Sequence, residues 1–330
     1  MFRRFGLAAA ALALALAGSG GTAAAVTASP ASPASPASPA SPTPESASGR
    51  PSADPAQGGG PDKRRVPAVL DVAHRGASAY APENTLAAVE AAQRLDATTV
   101  ELDVQRSADG ELVIIHDTSL ERTTDAEEVF PDRESYAVAD FTLAELRRLD
   151  AGAWFGAEFA GEPVPTLDEA LARLHRHRLN LLLEIKSPEL YPGIEADVAS
   201  ALRDRPAWFA PRPSWRWPRL VIQSFDRESM RRSHDLLPRV PHGLLGTVPE
   251  EEIGDYARWA DQINPDHEAI SADYVDAVHD AGMQVHTYTV NDPGDMRTAI
   301  AHGVDGIITD RPDVARQVIA EEAAGAAPAA

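Results

Sequence analysis

Four apolar runs of this sequence carry charged side chains where a buried strand would be apolar. These side chains are, in chain order, His74, Arg75, Glu101, Asp103, His116, Glu184 and Lys186. Burying a charge without a partner is costly, so charges in such positions indicate a site that uses them. Three carboxylates suit a hard cation, and the cations and imidazoles suit an anionic substrate.

Side-chain alternation along a strand places these charges on shared faces. Residues two apart point the same way, so Glu101 lies beside Asp103 and Glu184 beside Lys186. Lys186 is one of only two lysines in the chain, the other being Lys63. A lysine at this position indicates a need for a compact ammonium rather than a planar guanidinium. The alternative is that Lys186 only pairs with Glu184 at a strand end.

The first 65 residues have the composition of export and spacer segments. Two arginines, a short apolar run at 7–17 and small residues are typical of a secretory signal peptide, which we place at residues 1–28. Ala-Ser-Pro repeats and other polar residues predict a disordered linker at 29–65. The Ala-rich residues 321–330 are predicted to be a flexible tail. With no cysteine to carry a lipid anchor, we expect a secreted, extracellular product without stable membrane insertion.

Strand-like and helix-like segments alternate along residues 66–320, as they do in a parallel sheet. The predicted strands are 69–73, 99–104, 111–116, 179–186, 220–224, 240–245, 263–264, 284–290 and 306–309. The predicted helices are 84–95, 142–149, 166–177, 194–202, 227–236, 250–260, 271–281 and 293–301. About eight such units favour an α/β fold of the closed TIM (β/α)8 barrel type over an open doubly wound sheet. The long stretch at 117–164 predicts a small insertion near the barrel mouth.

The charge balance limits the partners of this domain. The formal net charge is −20 and the sequence pI is near 4.8, which argues against binding to nucleic acid and against docking on anionic lipid. Glycine-rich loops of the dinucleotide or P-loop type are absent from the sequence. An anionic substrate would therefore need a local positive site, which Arg75, Lys186 and a bound metal ion could supply. We expect a monomer or a weak dimer.

At these residues the chain resembles the glycerophosphodiester phosphodiesterase family, of the secreted bacterial type. The matching motifs follow the family's order and are His74-Arg75-Gly76, Pro82-Glu83-Asn84-Thr85, Glu101-Leu102-Asp103-Val104, Leu112-Val113-Ile114-Ile115-His116-Asp117, Pro165-Thr166-Leu167-Asp168-Glu169-Ala170-Leu171, Leu183-Glu184-Ile185-Lys186, Gln223-Ser224-Phe225, Tyr288-Thr289-Val290-Asn291 and Gly303-Val304-Asp305-Gly306-Ile307-Ile308-Thr309-Asp310. The resemblance implies a TIM barrel that cleaves glycerophosphodiesters to sn-glycerol 3-phosphate and an alcohol. One departure is Tyr288, where the family usually has tryptophan. The resemblance therefore does not predict the shape or polarity of the pocket wall on the alcohol side.

The resemblance also implies a role for each charged residue. The implied groups are the metal carboxylates Glu101, Asp103 and Glu184, the acid–base pair His74 and His116, and the phosphate-binding cations Arg75 and Lys186. Oxygen ligands suit one divalent cation of the Ca²⁺ or Mg²⁺ type rather than zinc, and we expect Ca²⁺ in preference to Mg²⁺. One imidazole would accept a proton from the nucleophile while the other protonates the leaving alcohol. The sequence decides neither which histidine is the acid nor whether the nucleophile is water or the substrate's glycerol hydroxyl.

Two alternative functions stay open at this stage. The same barrel and metal site can serve a lysophospholipase D-like lyase that forms a cyclic phosphate from lysophospholipids, which a long apolar mouth would favour. A non-catalytic binding protein on the same scaffold is the other alternative.

Several further residues have two possible roles. Glu83 and Asn84 either cap the first helix or position His74. Gln223 and Phe225, which share a strand face, either line the pocket or fill the barrel. The remaining candidates are the aromatic residues Trp154 and Phe155 of the insertion, the strand residue His286, and His175 and His177, which we expect at a helix surface.

Overall fold

The computed structural model of the protein describes residues 69–210 and 217–325. The predicted signal peptide at 1–28 and the predicted linker at 29–65 lie outside these residues and stay predictions. Among the helices of the described part, none combines the length and the apolar character needed to cross a membrane.

Nine strands of the described part form a single sheet. They are β1 (Leu70–Ala73), β2 (Thr99–Arg106), β3 (Leu112–Ile114), β4 (Asn180–Ile185), β5 (Leu220–Ser224), β6 (His242–Leu245), β7 (Gln262–Asn264), β8 (Gln284–Thr287) and β9 (Gly306–Thr309). All except β3 run parallel, and β1 pairs with both β2 and β9, which closes the sheet into a barrel. β3 pairs antiparallel with the end of β2. The predicted TIM barrel fold is therefore confirmed.

Helices follow the barrel strands and cover their outer face, except α2 and α3, which lie in the insertion after β3. They are α1 (Leu86–Arg94), α2 (Ala126–Val129), α3 (Leu143–Leu146), α4 (Leu167–His177), α5 (Ile194–Arg203), α6 (Arg227–Leu236), α7 (Glu250–Tyr256), α8 (Ala272–Asp280), α9 (Pro293–His302) and α10 (Pro312–Gly325). The capping box predicted at Thr166 and Glu169 begins α4. The helix predicted over 142–149 retains only its first turn, α3. α10 continues past residue 320, where the sequence pattern placed the end of the domain.

Side-chain alternation gives the barrel interior an apolar floor and a polar upper layer. A cluster of buried apolar side chains forms the floor and consists of Leu70, Val72, Leu182, Val221 and Ile308. Glu101 pairs in register with Leu182, and two residues further along Asp103 pairs with Glu184. The carboxylates therefore stand above the floor, toward the carboxyl ends of the strands, where barrel enzymes build their sites.

The insertion between β3 and α4 has an apolar cluster of its own. The buried members of this cluster are Val113, Ile115, Leu120, Ala126, Val138, Phe141, Leu146, Leu149, Ala151 and Val164. Because Val113 and Ile115 belong to β3 and the residue that follows it, the same cluster fixes the position of His116. The turn predicted at Asp109-Gly110 joins β2 to β3, and Gly110 has a φ of +93°.

Gly76 is required by the tight loop that follows β1. Its φ is +84°, and a Cβ atom added there would lie 2.5 Å from the Cβ atom of Ala88 in α1. We expect Gly76→Ala to lower the free energy of unfolding by about 2–4 kcal/mol, because it adds backbone strain to overpacking. Urea unfolding followed by circular dichroism measures this loss.

Gly110 provides a matched control for this substitution. It also has a positive φ, but nothing lies within 4 Å of an added Cβ atom. Gly110→Ala should therefore cost only the backbone term, about 1 kcal/mol. Equal losses at the two positions would contradict the packing account of Gly76.

Candidate active site

The three carboxylates predicted from the sequence meet at the top of β2 and β4. Glu101, Asp103 and Glu184 are all buried, and one oxygen from each lies within 4.8 Å of the others. Burial and the neighbouring carboxylates raise the pKa of Glu101 well above its usual value. Burial and the charge of Asp103 likewise raise the pKa of Glu184 to about 8. Three such groups in one place are costly unless positive charge neutralises them.

Two cations of the chain lie next to this carboxylate cluster. The Lys186 Nζ atom is 2.9 Å from Glu184 Oε1 and 3.9 Å from Asp103 Oδ1. The Arg75 Nε atom is 3.7 Å from Asp103 Oδ2, and the Arg75 backbone N–H donates to Glu101 Oε2 at 2.8 Å. Lys186 therefore pairs with Glu184 and also lies near Asp103.

The donor set of this cluster fits a hard divalent cation. Asp103 Oδ1 is buried and receives no hydrogen bond from the described residues. The clustered ligand atoms of Glu101, Asp103 and Glu184 are all carboxylate oxygens, which is the ligand type that Ca²⁺ and Mg²⁺ prefer and zinc does not. A metal ion held by these three residues would neutralise charge that Arg75 and Lys186 leave uncompensated.

The loop after β1 places the side chains of Arg75 and Asn84 next to Asp103 of the cluster. Arg75 and Asn84 have φ values of +53° and +58°, and asparagine tolerates this region better than most residues. The Asn84 Nδ2 atom donates to Asp103 Oδ2 at 2.8 Å, and its Oδ1 accepts from the Asp103 backbone N–H. Thr85, not Glu83 or Asn84, caps α1. Neither role considered for Glu83 and Asn84 is therefore observed, because Asn84 holds Asp103 rather than His74, and Glu83 binds Arg75 at 2.8 Å.

His74 follows β1 and is held by a carboxylate from the last barrel strand. Its Nδ1 atom lies 2.6 Å from Asp310 Oδ1. Asp310 also accepts hydrogen bonds from Ser78 and Asn291. Burial opposes ionisation of Asp310, but these bonds outweigh it and lower its pKa to about 2. Because an ionised carboxylate only accepts, Nδ1 of His74 carries the hydrogen and Nε2 is left for a substrate.

His116 follows β3 and has the same kind of support. Its Nδ1 atom lies 2.6 Å from Asp117 Oδ1. Asp117 is bound in turn by Arg122, whose Nε donates to Asp117 Oδ2 at 2.5 Å. Burial and the nearby cation Arg75 lower the pKa of His116, although Asp103 opposes them. His116 is therefore held neutral near pH 7, with Nε2 able to accept a proton.

Aromatic side chains stand at the mouth beside Lys186. The Lys186 Nζ atom lies 5.7 Å from the ring centre of Phe225, which is 53% exposed. Phe225 packs edge-to-face on Tyr288 at 5.9 Å, and burial and nearby carboxylates raise the pKa of Tyr288 to about 12. Trp154 and Phe155 pack on each other in the insertion, with Trp154 partly exposed.

Of the other side chains singled out from the sequence, Gln223 lies next to the cluster, because it pairs in register with Glu184 on the neighbouring strand. Gln223 is buried and accepts a hydrogen bond from Asn264 at 2.8 Å, so it fills the barrel. His286 is buried in the barrel interior against Trp217 at 5.6 Å, and burial lowers its pKa to about 4. On α4, His175 is exposed as expected and His177 is half-buried.

Five residues that support the site were not predicted to have a role in it. Asp117, Asn291 and Asp310 appear in the sequence motifs without an assigned role, and neither Ser78 nor Arg122 was a candidate. A signal existed for Asp310, because it ends the last apolar strand just as the predicted charges end theirs. Another existed for Asp117, which directly follows His116. No comparable signal marks Arg122, because only the path of the insertion brings it to Glu83.

This fold and site together define a class. A closed barrel that carries a buried carboxylate cluster, two cations and two oriented imidazoles at the carboxyl ends of its strands has its polar groups where barrel enzymes build their active sites.

Comparison with known proteins identifies the family within this class. A model of the glycerophosphoryl diester phosphodiesterase family matches residues 74–314. The chain is 36% identical over 268 residues to a glycerophosphodiester phosphodiesterase of Bacillus subtilis, covering 76% of this chain and 86% of that protein. A glycerophosphodiester phosphodiesterase of Caldanaerobacter subterraneus is 37% identical over 252 residues, covering 74% and 95%. The chain therefore belongs to this family of enzymes.

A solved structure supports the same assignment. It is an Oleispira antarctica phosphodiesterase in complex with the product sn-glycerol-3-phosphate, with a TM-score of 0.66 and 29% identity. The alignment covers 76% of this chain and 96% of that one. The predicted enzyme class, a glycerophosphodiester phosphodiesterase, is confirmed by the family and by these relatives.

Proposed function

We propose that this chain hydrolyses glycerophosphodiesters to sn-glycerol 3-phosphate and an alcohol, with His74 and His116 as the acid–base pair and a divalent cation on Glu101, Asp103 and Glu184. The observation that supports this most directly is the pair of imidazoles, each held through Nδ1 by a carboxylate at 2.6 Å. Both therefore present Nε2, the arrangement that two proton transfers on one substrate require.

The two imidazoles divide the work of proton transfer. His116, whose pKa is lowered by burial, is suited to accept a proton from the attacking hydroxyl. His74, whose Nδ1 is held by Asp310 at 2.6 Å, donates one from a protonated Nε2 to the leaving alcohol. Arg75 and Lys186 bind and orient the phosphate, whose oxygens gain charge during the reaction.

A divalent cation bound by the three carboxylates would supply Lewis-acid stabilisation of the phosphate oxygens. Ca²⁺ is the proposed ion because it accepts several oxygen ligands in flexible geometry, whereas Mg²⁺ demands a near-ideal octahedron. Asn84 fixes Asp103 through two hydrogen bonds, so the chain itself orients one ligand.

The nucleophile is open to direct test. Attack by the substrate's glycerol hydroxyl passes through a cyclic phosphate that water then opens, whereas attack by water does not. Following the reaction by ³¹P NMR distinguishes the two routes, because the cyclic phosphate has its own resonance.

The activity is tested by release of sn-glycerol 3-phosphate from glycerophosphocholine and glycerophosphoethanolamine. Purified protein is assayed with Ca²⁺, with Mg²⁺ and with EDTA. We expect release from both substrates with a metal ion, faster with Ca²⁺, and none with EDTA. Undiminished release in EDTA would contradict the metal assignment, and no release under any condition would contradict the function.

One observation favours a second candidate, the lysophospholipase D-like lyase. Among the described residues, the exposed large hydrophobic side chains are Tyr80, Trp154, Leu190 and Phe225. Tyr80, Leu190 and Phe225 lie on segments that follow barrel strands at their carboxyl ends, the same side as the site, and Trp154 lies in the insertion. A lysophospholipid could place its acyl chain there, and conversion of lysophosphatidylcholine to a cyclic phosphate would support this activity.

We further propose that the protein is exported and acts outside the cell. The composition of residues 1–65 supports this, with a signal-like segment followed by Ala-Ser-Pro repeats. Mass spectrometry of protein recovered from the medium tests it by locating the processed N-terminus.

A further inference from the structure

We propose that Arg122 of the insertion is a positioning residue that sets the geometry of His116 and Arg75 together. The inference rests on the proposed function, because His116 is taken there as a proton-transfer group and Arg75 as a phosphate ligand. The insertion would then affect the reaction through the Arg122 side chain, which acts on His116 and Arg75 through Asp117 and Glu83.

Arg122 joins two carboxylates that serve different parts of the site. Its Nε donates to Asp117 Oδ2 at 2.5 Å, and its two terminal nitrogens donate to the two oxygens of Glu83, each at 2.8 Å. Asp117 holds His116 through its other oxygen, and Glu83 holds Arg75 through Oε1. The Arg122 guanidinium is therefore linked through Asp117 to the His116 imidazole and through Glu83 to Arg75, the proposed phosphate ligand.

The backbone around Arg122 is anchored for this task. Leu120 and Thr123 are both buried, the first within the apolar cluster of the insertion. The Arg122 side chain leaves this anchored segment and reaches the loop that follows β1. A planar fork with several donors suits such a bridge, whereas an ammonium can satisfy only part of it.

Charge gives Arg122 a second effect on His116. The hydrogen bond and charge of Arg122 lower the pKa of Asp117 against the effect of burial. Burial opposes ionisation of Glu83, but Arg122 and Arg75 together outweigh it and lower its pKa. Arg122 therefore offsets the negative charge of Asp117 beside His116. The other charged groups that act on the pKa of His116 are Asp103, Arg75 and Lys186. All three are still present in a variant that lacks Arg122.

The test compares Arg122→Gln and Arg122→Lys with the unchanged protein. We expect Arg122→Gln to lower kcat/KM by about 10–100-fold, the range typical for residues that orient site groups. Both parameters should change: kcat falls because His116 is misaligned, and KM rises because Arg75 is loosened. Arg122→Lys should recover less than half of this loss on a logarithmic scale.

The pH dependence separates positioning from a structural role. Removing Arg122 leaves Asp117 uncompensated, so the pKa of His116 should rise and the acidic limb of the kcat/KM profile should move to higher pH. Arg133→Gln is the matched control, because Arg133 pairs with Glu145 and covers Phe141 inside the same insertion. It should leave both the profile and kcat/KM unchanged.

Two outcomes would overturn the proposal. One is wild-type kcat/KM in Arg122→Gln. The other is a loss with an unshifted pH profile that Arg133→Gln reproduces, which would mark a general effect of the insertion. Titration of the His116 imidazole by NMR, assigned with His116→Gln, reads the same shift without any turnover. An inactive wild-type protein that still showed this shift would contradict the proposed function and not the bridge.

Discussion

Replacing His116 with alanine is expected to lower kcat by about 10²–10⁴-fold, the usual contribution of one acid–base group. The fold should persist, because the His116 side chain is 24% exposed and its polar contact is with the neighbouring Asp117. Initial rates of sn-glycerol 3-phosphate release, together with circular dichroism of the variant, measure both effects. Near-normal turnover would remove His116 from the mechanism.

His175→Ala is the matched control, because His175 is exposed on α4 and lies outside the site. It should retain wild-type kcat. The pH profile adds a sharper criterion. Since burial lowers the pKa of His116, the acidic limb of the profile should lie below the pH at which an ordinary imidazole titrates. The acidic limb should disappear in His116→Ala, whatever rate remains.

Combining substitutions tests whether the two imidazoles act as one unit. His74→Ala should cost about as much as His116→Ala. The double variant should lose far less than the product of the two single effects, because groups that act on the same transition state are strongly non-additive. Fully multiplicative losses would indicate that His74 and His116 serve separate steps.

Much of this site could be predicted from the sequence for a simple reason. A strand buried on both faces is apolar throughout, so Glu101, Asp103 and Glu184 stood out as charges without a structural purpose. Alternation then placed Glu184 and Lys186 on one face, and the structure brings their side chains to 2.9 Å. The barrel followed from the strand–helix alternation, because parallel strands need crossover helices.

The remaining parts of the site depend on contacts between distant segments. Asp310 reaches His74 because β9 pairs with β1, a closure between residues 236 positions apart. Arg122 reaches Glu83 because the insertion folds back over the loop after β1. The end of an apolar strand marked Asp310 as a charge, but no local pattern indicated that its partner would be His74, and none marked Arg122. No helix was predicted after residue 301, and α10 was missed for a different reason, since its alanine-rich end suits a helix as well as a frayed tail.

The second large effect concerns the carboxylate cluster, where activity and stability should change in opposite directions. Glu101→Gln keeps the shape of the side chain and an oxygen that can still accept from the Arg75 backbone N–H, 2.8 Å away in the unchanged protein. It removes one of the three clustered carboxylates that could hold a cation. We expect activity to fall by at least about 10²-fold at any metal concentration tested, because a metal ligand is lost.

Stability should distinguish this loss from unfolding. Burial and neighbouring carboxylates raise the pKa of Glu101, so in EDTA the glutamine variant should be at least as stable as the unchanged protein at pH 7. Added Ca²⁺ should stabilise the unchanged protein by about 2.7 kcal/mol at a hundredfold excess over Kd, and the variant by much less. Urea unfolding with and without Ca²⁺ measures both quantities.

Glu195→Gln supplies the control for burial alone. Glu195 is also buried, but it lies on α5 and pairs with Arg232 at 2.8 Å, outside the site. Its replacement should lower stability, because a hydrogen-bonded ion pair is broken, and should leave the response to Ca²⁺ intact. If Glu101→Gln kept the full Ca²⁺ response, the cation would have to bind elsewhere. Equal destabilisation of the two variants in EDTA would show instead that the Glu101 carboxylate stabilises the fold. A carboxylate that serves only to bind a cation should not lower the free energy of unfolding when it is replaced in the absence of that cation.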